Sequence, residues 1–159
     1  MKAYLSQWSL ILLCFSMAGS IGGGLYEHIV LMPIWSASPP SSFRIIQRGT
    51  GVPLQRFWIP VHTAITSSIF LTLFLTWKEI PVRRLVLISL TSYFVMRVWS
   101  GLFFIPEMLA FQKVSPDSEP STQLLARVAR WRRLTWFREP LDVLSFLCSL
   151  LSLYSLNRS

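Results

Sequence analysis

The sequence predicts an all-α, integral-membrane four-helix bundle with an additional amphipathic helix at the interface, forming one domain over residues 1–159. Three observations predict it. Four apolar stretches, residues 5–34, 59–77, 85–105 and 141–156, are long enough or nearly long enough to cross a bilayer, whose core of about 30 Å takes about 20 helical residues. Seven Trp and an apolar run such as residues 69–75 exceed what so small a soluble domain buries. Apart from Arg97, the basic residues fall in connections and flanks, as snorkelling and contact with anionic headgroups require.

The first stretch is longer than a bilayer needs, so it tilts or projects beyond the lipid. Its segment Ala18-Gly19-Ser20-Ile21-Gly22-Gly23-Gly24 places small residues four apart, in Ala18/Gly22, Gly19/Gly23 and Ser20/Gly24. In lipid, where helices associate by packing, such a face admits a close neighbour, within the chain or from a second copy. The alternative is a broken helix or a ligand contact beside Tyr26, Glu27 and His28. Lys2, the apolar residues 10–15 and the small residues 16–20 have the outline of a secretory signal. Apolar character resumes at Ile21, however, which predicts a retained first helix.

Residues 36–57 read as a long connection with Pro39-Pro40 and Gly49-Thr50-Gly51 as turn signals, and Ser38 or the Ser41/Ser42 pair caps a short helix through Gln47. Phe57-Trp58 makes an interfacial aromatic pair, and Pro60 suits the first turn of the second span. Residues 77–84 form a short turn with Trp77 as anchor, and Pro106 ends the third span. After a loop over residues 115–121, residues 122–138 carry helical periodicity. Leu124, Val128, Trp131 and Thr135 form one stripe, with Arg127, Arg130 and Arg133 off it. That pattern describes a helix lying at the headgroups, or a lid folded over the bundle with an arginine reaching acidic groups beneath. Cys14 and Cys148 fall inside spans at different depths and read as small buried hydrophobes rather than a disulfide.

Fifteen Lys/Arg stand against seven Asp/Glu. No strand pattern sets aromatics beside the cations for base stacking, so a nucleic-acid partner is excluded. The expected partners are membrane lipids, a hydrophobic aromatic small molecule and a second copy of the chain. The two long connections hold nine Lys/Arg, which by a raw positive-inside count puts them in the cytoplasm; leaving out the arginines that a folded site or lid would occupy removes that bias.

If the spans alternate, the end of the first, start of the second, end of the third and start of the fourth share one side. That side collects Tyr26, Glu27, His28, His62, Arg97, Glu107 and Asp142. Ionisable groups at membrane depth point to function. The first reading is a polar cavity for oxygenation without a cofactor. His28 or His62 is the base that makes an electron-rich anion, Arg97 stabilises the oxyanion, and Glu27 or Glu107 orients the imidazole. Trp58, Tyr93, Trp99 and Phe104, with Tyr26, supply a slot for a planar substrate. The second is a metal-dependent redox site built from Glu27, His28, His62, Glu107 and Asp142, although no two have a diagnostic helical spacing. The third is a non-catalytic scaffold or lipid-binding protein in which Arg97 neutralises Glu27 or Glu107.

One family carries a similar order of motifs. They are the glycine-rich first span leading to Leu25-Tyr26-Glu27-His28, then Pro33-Ile34-Trp35, Pro39-Pro40 and Phe57-Trp58-Ile59-Pro60-Val61-His62. Trp77, Tyr93, Arg97 and Phe104-Ile105-Pro106-Glu107 follow. In this the chain resembles the anthrone-oxygenase-like family of small four-span membrane proteins. The resemblance implies a bacterial cytoplasmic-membrane protein and a reaction of molecular oxygen with an anthrone, without an added cofactor. It assigns no catalytic residue.

Overall fold

The computed structural model describes residues 2–158, with side chains for residues 4–158, so the Lys2 side chain lies outside the described residues. Helix α1 (Lys2–Tyr26) runs through a π-helical turn (Glu27–Leu31) into α2 (Met32–Trp35), followed by a 3₁₀ turn (Ser41–Ile46). Helix α3 is Gln55–Leu75. Helix α4 (Ile80–Trp99) passes through a second π turn (Ser100–Phe104) into α5 (Ile105–Phe111), and α6 (Thr122–Thr135) and α7 (Glu139–Leu156) complete the chain. Among the described residues there is no strand. Four helical stretches, Tyr4–Trp35, Gln55–Leu75, Ile80–Phe111 and Thr122–Leu156, are long and apolar enough to cross a membrane, the last being interrupted by a turn at residues 136–138 between α6 and α7. This is an all-α four-helix bundle and an integral membrane protein.

The helices differ in length, and that difference divides the molecule. Gln55–Leu75, at 21 residues, rises about 32 Å and matches a bilayer, whereas a 32-residue helix rises about 48 Å. Tyr4–Trp35 and Ile80–Phe111 each have 32 residues, so their ends project and bury their apolar faces against something other than lipid. Two cores result. Leu10, Leu13, Met17, Ile65, Ile69, Val82, Val86, Tyr93 and Met96 fill the bundle. Met32, Trp35, Phe43, Ile46, Phe104, Phe111, Leu124, Val128 and Trp131 fill a cap built on the projecting ends. Helix α6 presents the expected stripe of Leu124, Val128, Trp131 and Thr135 to that cap. Its start is capped by Ser121, whose hydroxyl accepts from Leu124 N–H at 3.1 Å. It therefore folds over the projecting ends, and Arg127 donates twice to the Glu107 carboxylate, at 3.0 and 3.1 Å.

The prolines depart from expectation. Pro106 does not end the third span; the helix continues as α5. An interior proline collides with the carbonyl four residues back, and each π turn re-registers that carbonyl. Met32 N–H bonds to the Glu27 carbonyl and Ile105 N–H to the Ser100 carbonyl, both five residues back. Pro33 and Pro106 each follow directly, so the two projecting helices solve one steric problem in the same way. The second span begins at Gln55, because Arg56 N–H already closes a turn on the Pro53 carbonyl at 2.9 Å. Pro60 thus lies inside α3 and withdraws the usual donor from the Arg56 carbonyl.

Close packing reaches only half of the six expected small residues, Ser20, Gly23 and Gly24. Ala18, Gly19 and Gly22 face outward. Of the glycines in this stretch, Gly23 and Gly24 face tight contacts: a Cβ at Gly23 would strike the Phe57 ring, and one at Gly24 would lie 2.8 Å from Glu139 Oε1. The closest seam is α4 on α7, made by serines. Ser89 Oγ lies 2.7 Å from Ser145 Oγ and 3.0 Å from Ser149 Oγ, and Ser145 Oγ also bonds the Ser89 carbonyl at 2.9 Å. Ser92 Oγ donates to the Leu141 carbonyl at 2.8 Å. Small hydroxyl residues let two backbones approach in lipid and satisfy themselves across the gap. Ser145→Leu is expected to cost about 1–3 kcal/mol by overpacking, seen as an earlier thermal midpoint in detergent. The same measurement on Leu151→Ala, at an exposed position on α7, should show little change.

Candidate functional site

Around the bundle, α4 packs on α7, α7 on α1 and α1 on α3, while α3 and α4 meet only sparsely. Tied by the short connection at residues 76–79, these two helices part toward the capped end. Between them lies a cavity of about 1280 Å³, lined by Trp58, Ile59, His62, Thr66 and Phe70 of α3 and by Leu90, Tyr93, Phe94 and Arg97 of α4. Phe104, Met108 and Trp131 roof it from the cap, and Glu27 and Arg138 line its inner wall. Ile59, Phe70 and Phe94 line the cavity yet are 64, 56 and 63 % exposed. The cavity therefore opens sideways, on the surface that faces the hydrocarbon.

Its polar centre is His62. Arg97 Nη1 donates to His62 Nε2 at 2.7 Å, which makes Nε2 an acceptor and leaves the ring proton on Nδ1. Nδ1 lies 3.3 Å from the Tyr93 hydroxyl. That hydroxyl also lies 3.3 Å from the His62 carbonyl and 3.2 Å from Thr66 Oγ1, which itself donates to the His62 carbonyl at 2.7 Å. The chain of bonds holds the imidazole at both nitrogens. Trp58 stacks on it, ring centres 5.3 Å apart and planes 17° from parallel, and Trp58 Nε1 donates to Glu27 Oε1 at 2.6 Å. Neither Glu27 nor Glu107 touches the imidazole among the described residues; arginine and tyrosine hold it instead. The ion pairs among the described residues are His28–Glu139, Arg44–Asp117 and Arg127–Glu107, so Arg97 is not neutralised by a carboxylate within 4 Å.

A second, smaller void of about 30 Å³ lies behind Glu27 and Arg138, lined by Gly24, His28, Thr135, Glu139 and Asp142 among others. His28 Nδ1 bonds the Gly24 carbonyl at 2.7 Å and lies 3.4 Å from Glu139 Oε1, and the ring meets Trp136 at 4.4 Å. His28 Nε2, Thr135 Oγ1, Arg138 Nε and Asp142 Oδ1 are buried without a protein partner among the described residues. A void of this volume accommodates roughly one or two waters, whose several hydrogen bonds suit such a lining.

Of the residues expected from sequence, Glu27, Trp58, His62, Tyr93, Arg97 and Phe104 come together around the large cavity. His28 and Asp142 face the smaller void. Tyr26, Trp99 and Glu107 line neither: Tyr26 is 56 % exposed, Trp99 packs edge-on against Phe104, and Glu107 is bound by Arg127. Arg138 and Glu139 were missed. Their signal was a charged pair immediately before the fourth apolar stretch, at the end already marked by Asp142. Among the described residues, no three His, Cys, Asp or Glu side chains are arranged to hold one metal ion, so the ligand set of the metal reading does not assemble.

Comparison with known protein families, curated proteins and solved structures found no match.

The chain has two histidines, so the bonds around His62 are open to direct observation. Nitrogen-15 spectra of histidine-labelled protein in detergent are expected to show His62 as the neutral Nδ1–H form, identified by loss of its signals in His62→Gln. A ring protonated at Nε2 would contradict the Arg97 contact. Arg97→Ala is expected to free Nε2 and shift both nitrogen signals.

Proposed function

We propose that this protein takes a planar, lipid-soluble aromatic substrate from the bilayer into the α3–α4 cavity and oxidises it with molecular oxygen, using no bound cofactor. The reaction is that of the anthrone-oxygenase-like family its sequence resembles. One observation carries the reading: a histidine with an arginine on its lone pair and an indole on its face, inside a cavity open to hydrocarbon.

The substrate carbonyl oxygen takes the place of His62 Nε2 as the acceptor for Arg97. This frees the imidazole lone pair to remove a proton from the methylene carbon across the central ring from that carbonyl, and the oxyanion that develops by conjugation rests on Arg97 in a water-poor site. The electron-rich carbon then bonds to dioxygen, and the peroxide takes back the proton from His62. Loss of the second C–H proton and cleavage of the O–O bond yield the new carbonyl and one water. One dioxygen is consumed, with one oxygen atom in the quinone and the other in water. Tyr93 and Thr66 keep the ring aligned through the cycle, and Trp58 offers the substrate a stacking partner.

We place the protein in a bacterial cytoplasmic membrane with its capped end in the cytoplasm, in keeping with the Lys/Arg of the two long connections.

Purified protein supplied with an anthrone under oxygen is expected to take up one oxygen molecule per quinone formed. His62→Gln should lower the rate about 10²–10⁴-fold and Arg97→Ala about 10²–10³-fold. Arg97→Lys should recover only part of the rate, because it keeps the charge and loses the planar fork. Oxygen uptake no faster than in protein-free detergent would rule the oxygenase out. Tight binding without uptake would leave a lipid-binding role, which the lateral opening also favours.

A further inference from the structure

We propose that the aromatic substrate carries an ionised carboxylate, seated against Arg48 and Arg56 at the rim of the cavity. This rests on the reading of the cavity as an aromatic substrate site. The observation behind it is a charge imbalance. Arg48, Arg56, Arg97 and Arg138 all line the one cavity, and Glu27 is the single carboxylate that does. Glu27 is already held by Trp58 Nε1, and none of these arginines has a carboxylate within 4 Å among the described residues.

The other cations near this end are mostly provided for. Arg44 and Arg127 have carboxylates, and Arg130 lies over the Phe103 ring at 5.1 Å. Arg138 is over the Phe104 ring at 4.8 Å, with Nε still unbonded. Arg48 and Arg56 have neither ion pair nor side-chain hydrogen bond among the described residues, and both are exposed at the mouth. Two forks of unpaired guanidinium beside an apolar cleft suit an acid whose body is apolar.

The spacing agrees. Arg97 and His62 lie at the inner end, where the reacting oxygen would sit. Arg56 is six residues before His62 on α3, about 9 Å of helix rise, a span that an outer ring and its carboxylate cover together with the reach of the arginine side chain. A fused-ring acid thus spans from the His62–Arg97 pair to the rim, its face on Trp58 and its carboxylate at the interface. An acidic substituent also keeps its end of such a molecule at headgroup depth, level with Arg56 at the start of α3.

The test compares two ligands of one shape, anthraquinone-2-carboxylate and 2-methylanthraquinone, by quenching of tryptophan fluorescence in uncharged maltoside detergent. The carboxylate is expected to bind at least tenfold tighter. Arg48→Gln with Arg56→Gln should remove that preference while leaving the methyl compound's affinity unchanged. Arg132→Gln with Arg133→Gln, on exposed positions of α6 outside the cavity lining, should leave both affinities as they were. Thermal midpoints of the variants report whether they remain folded. Equal affinities in the wild type, or a preference that survives Arg48→Gln with Arg56→Gln, overturn the proposal and leave the aromatic slot standing. Failure of both ligands to bind removes the slot and the acid together. Displacement of the carboxylate by phosphatidylglycerol at equal affinity would assign the rim arginines to lipid headgroups and overturn it too.

Discussion

The seam between α4 and α7 sets the shape of everything around it. Four helices in a ring have four seams, and each helix can lie close to a neighbour only where its side chains are small. Ser89, Ser145 and Ser149 meet at hydrogen-bond distance across α4 and α7, and Ser92 reaches the Leu141 backbone. On the other flank, Thr72 of α3 donates to Ser9 of α1 at 3.0 Å. With α4 drawn to α7 and α3 drawn to α1, the α3–α4 seam stays parted. In water such a cleft would close under the hydrophobic effect. In a bilayer it need not, because lipid chains solvate its walls as well as leucine would.

Helix length supplies the second constraint. Two spans overshoot the hydrocarbon by roughly a third of their length, so the protein builds a small second core where they emerge and lays α6 across it. Both projecting helices widen by a π turn at this junction, and widened turns of this kind recur at functional sites. The first π turn carries Glu27 and His28, and the second brings Phe104 to the cavity roof. The charged groups gather where membrane packing hands over to the cap. At that level Arg97 is half-buried inside the cavity, whose lining also includes Trp58 and Phe104.

The proposed chemistry follows from that placement. Arg97 on His62 Nε2 holds the imidazole neutral and covers its lone pair, so the base is uncovered only when another acceptor draws Arg97 away. A carbonyl-bearing substrate supplies that acceptor at the position where negative charge then develops. The rim arginines extend the same logic outward, since an acid held at the mouth orients the ring before its carbonyl reaches Arg97.

The sequence by itself determined the four spans, their alternation and the end of the bundle at which the polar groups gather. It also determined the α6 stripe, because a 3.6-residue period in Leu124, Val128, Trp131 and Thr135 is a local property of the chain. Helix overshoot was legible in the length of the first span. Tertiary structure decided the rest. Pro106 reads as a stop in any local rule, and only the shifted register of the preceding turn lets the helix continue. The outward turn of Gly19 and Gly22, and the choice of serines for the closest seam, depend on which faces meet, which no single helix encodes. For the same reason Tyr26, Trp99 and Glu107 share a level with His62 yet lie outside its cavity. A level is set by distance along one helix, whereas a site is set by rotation about several at once.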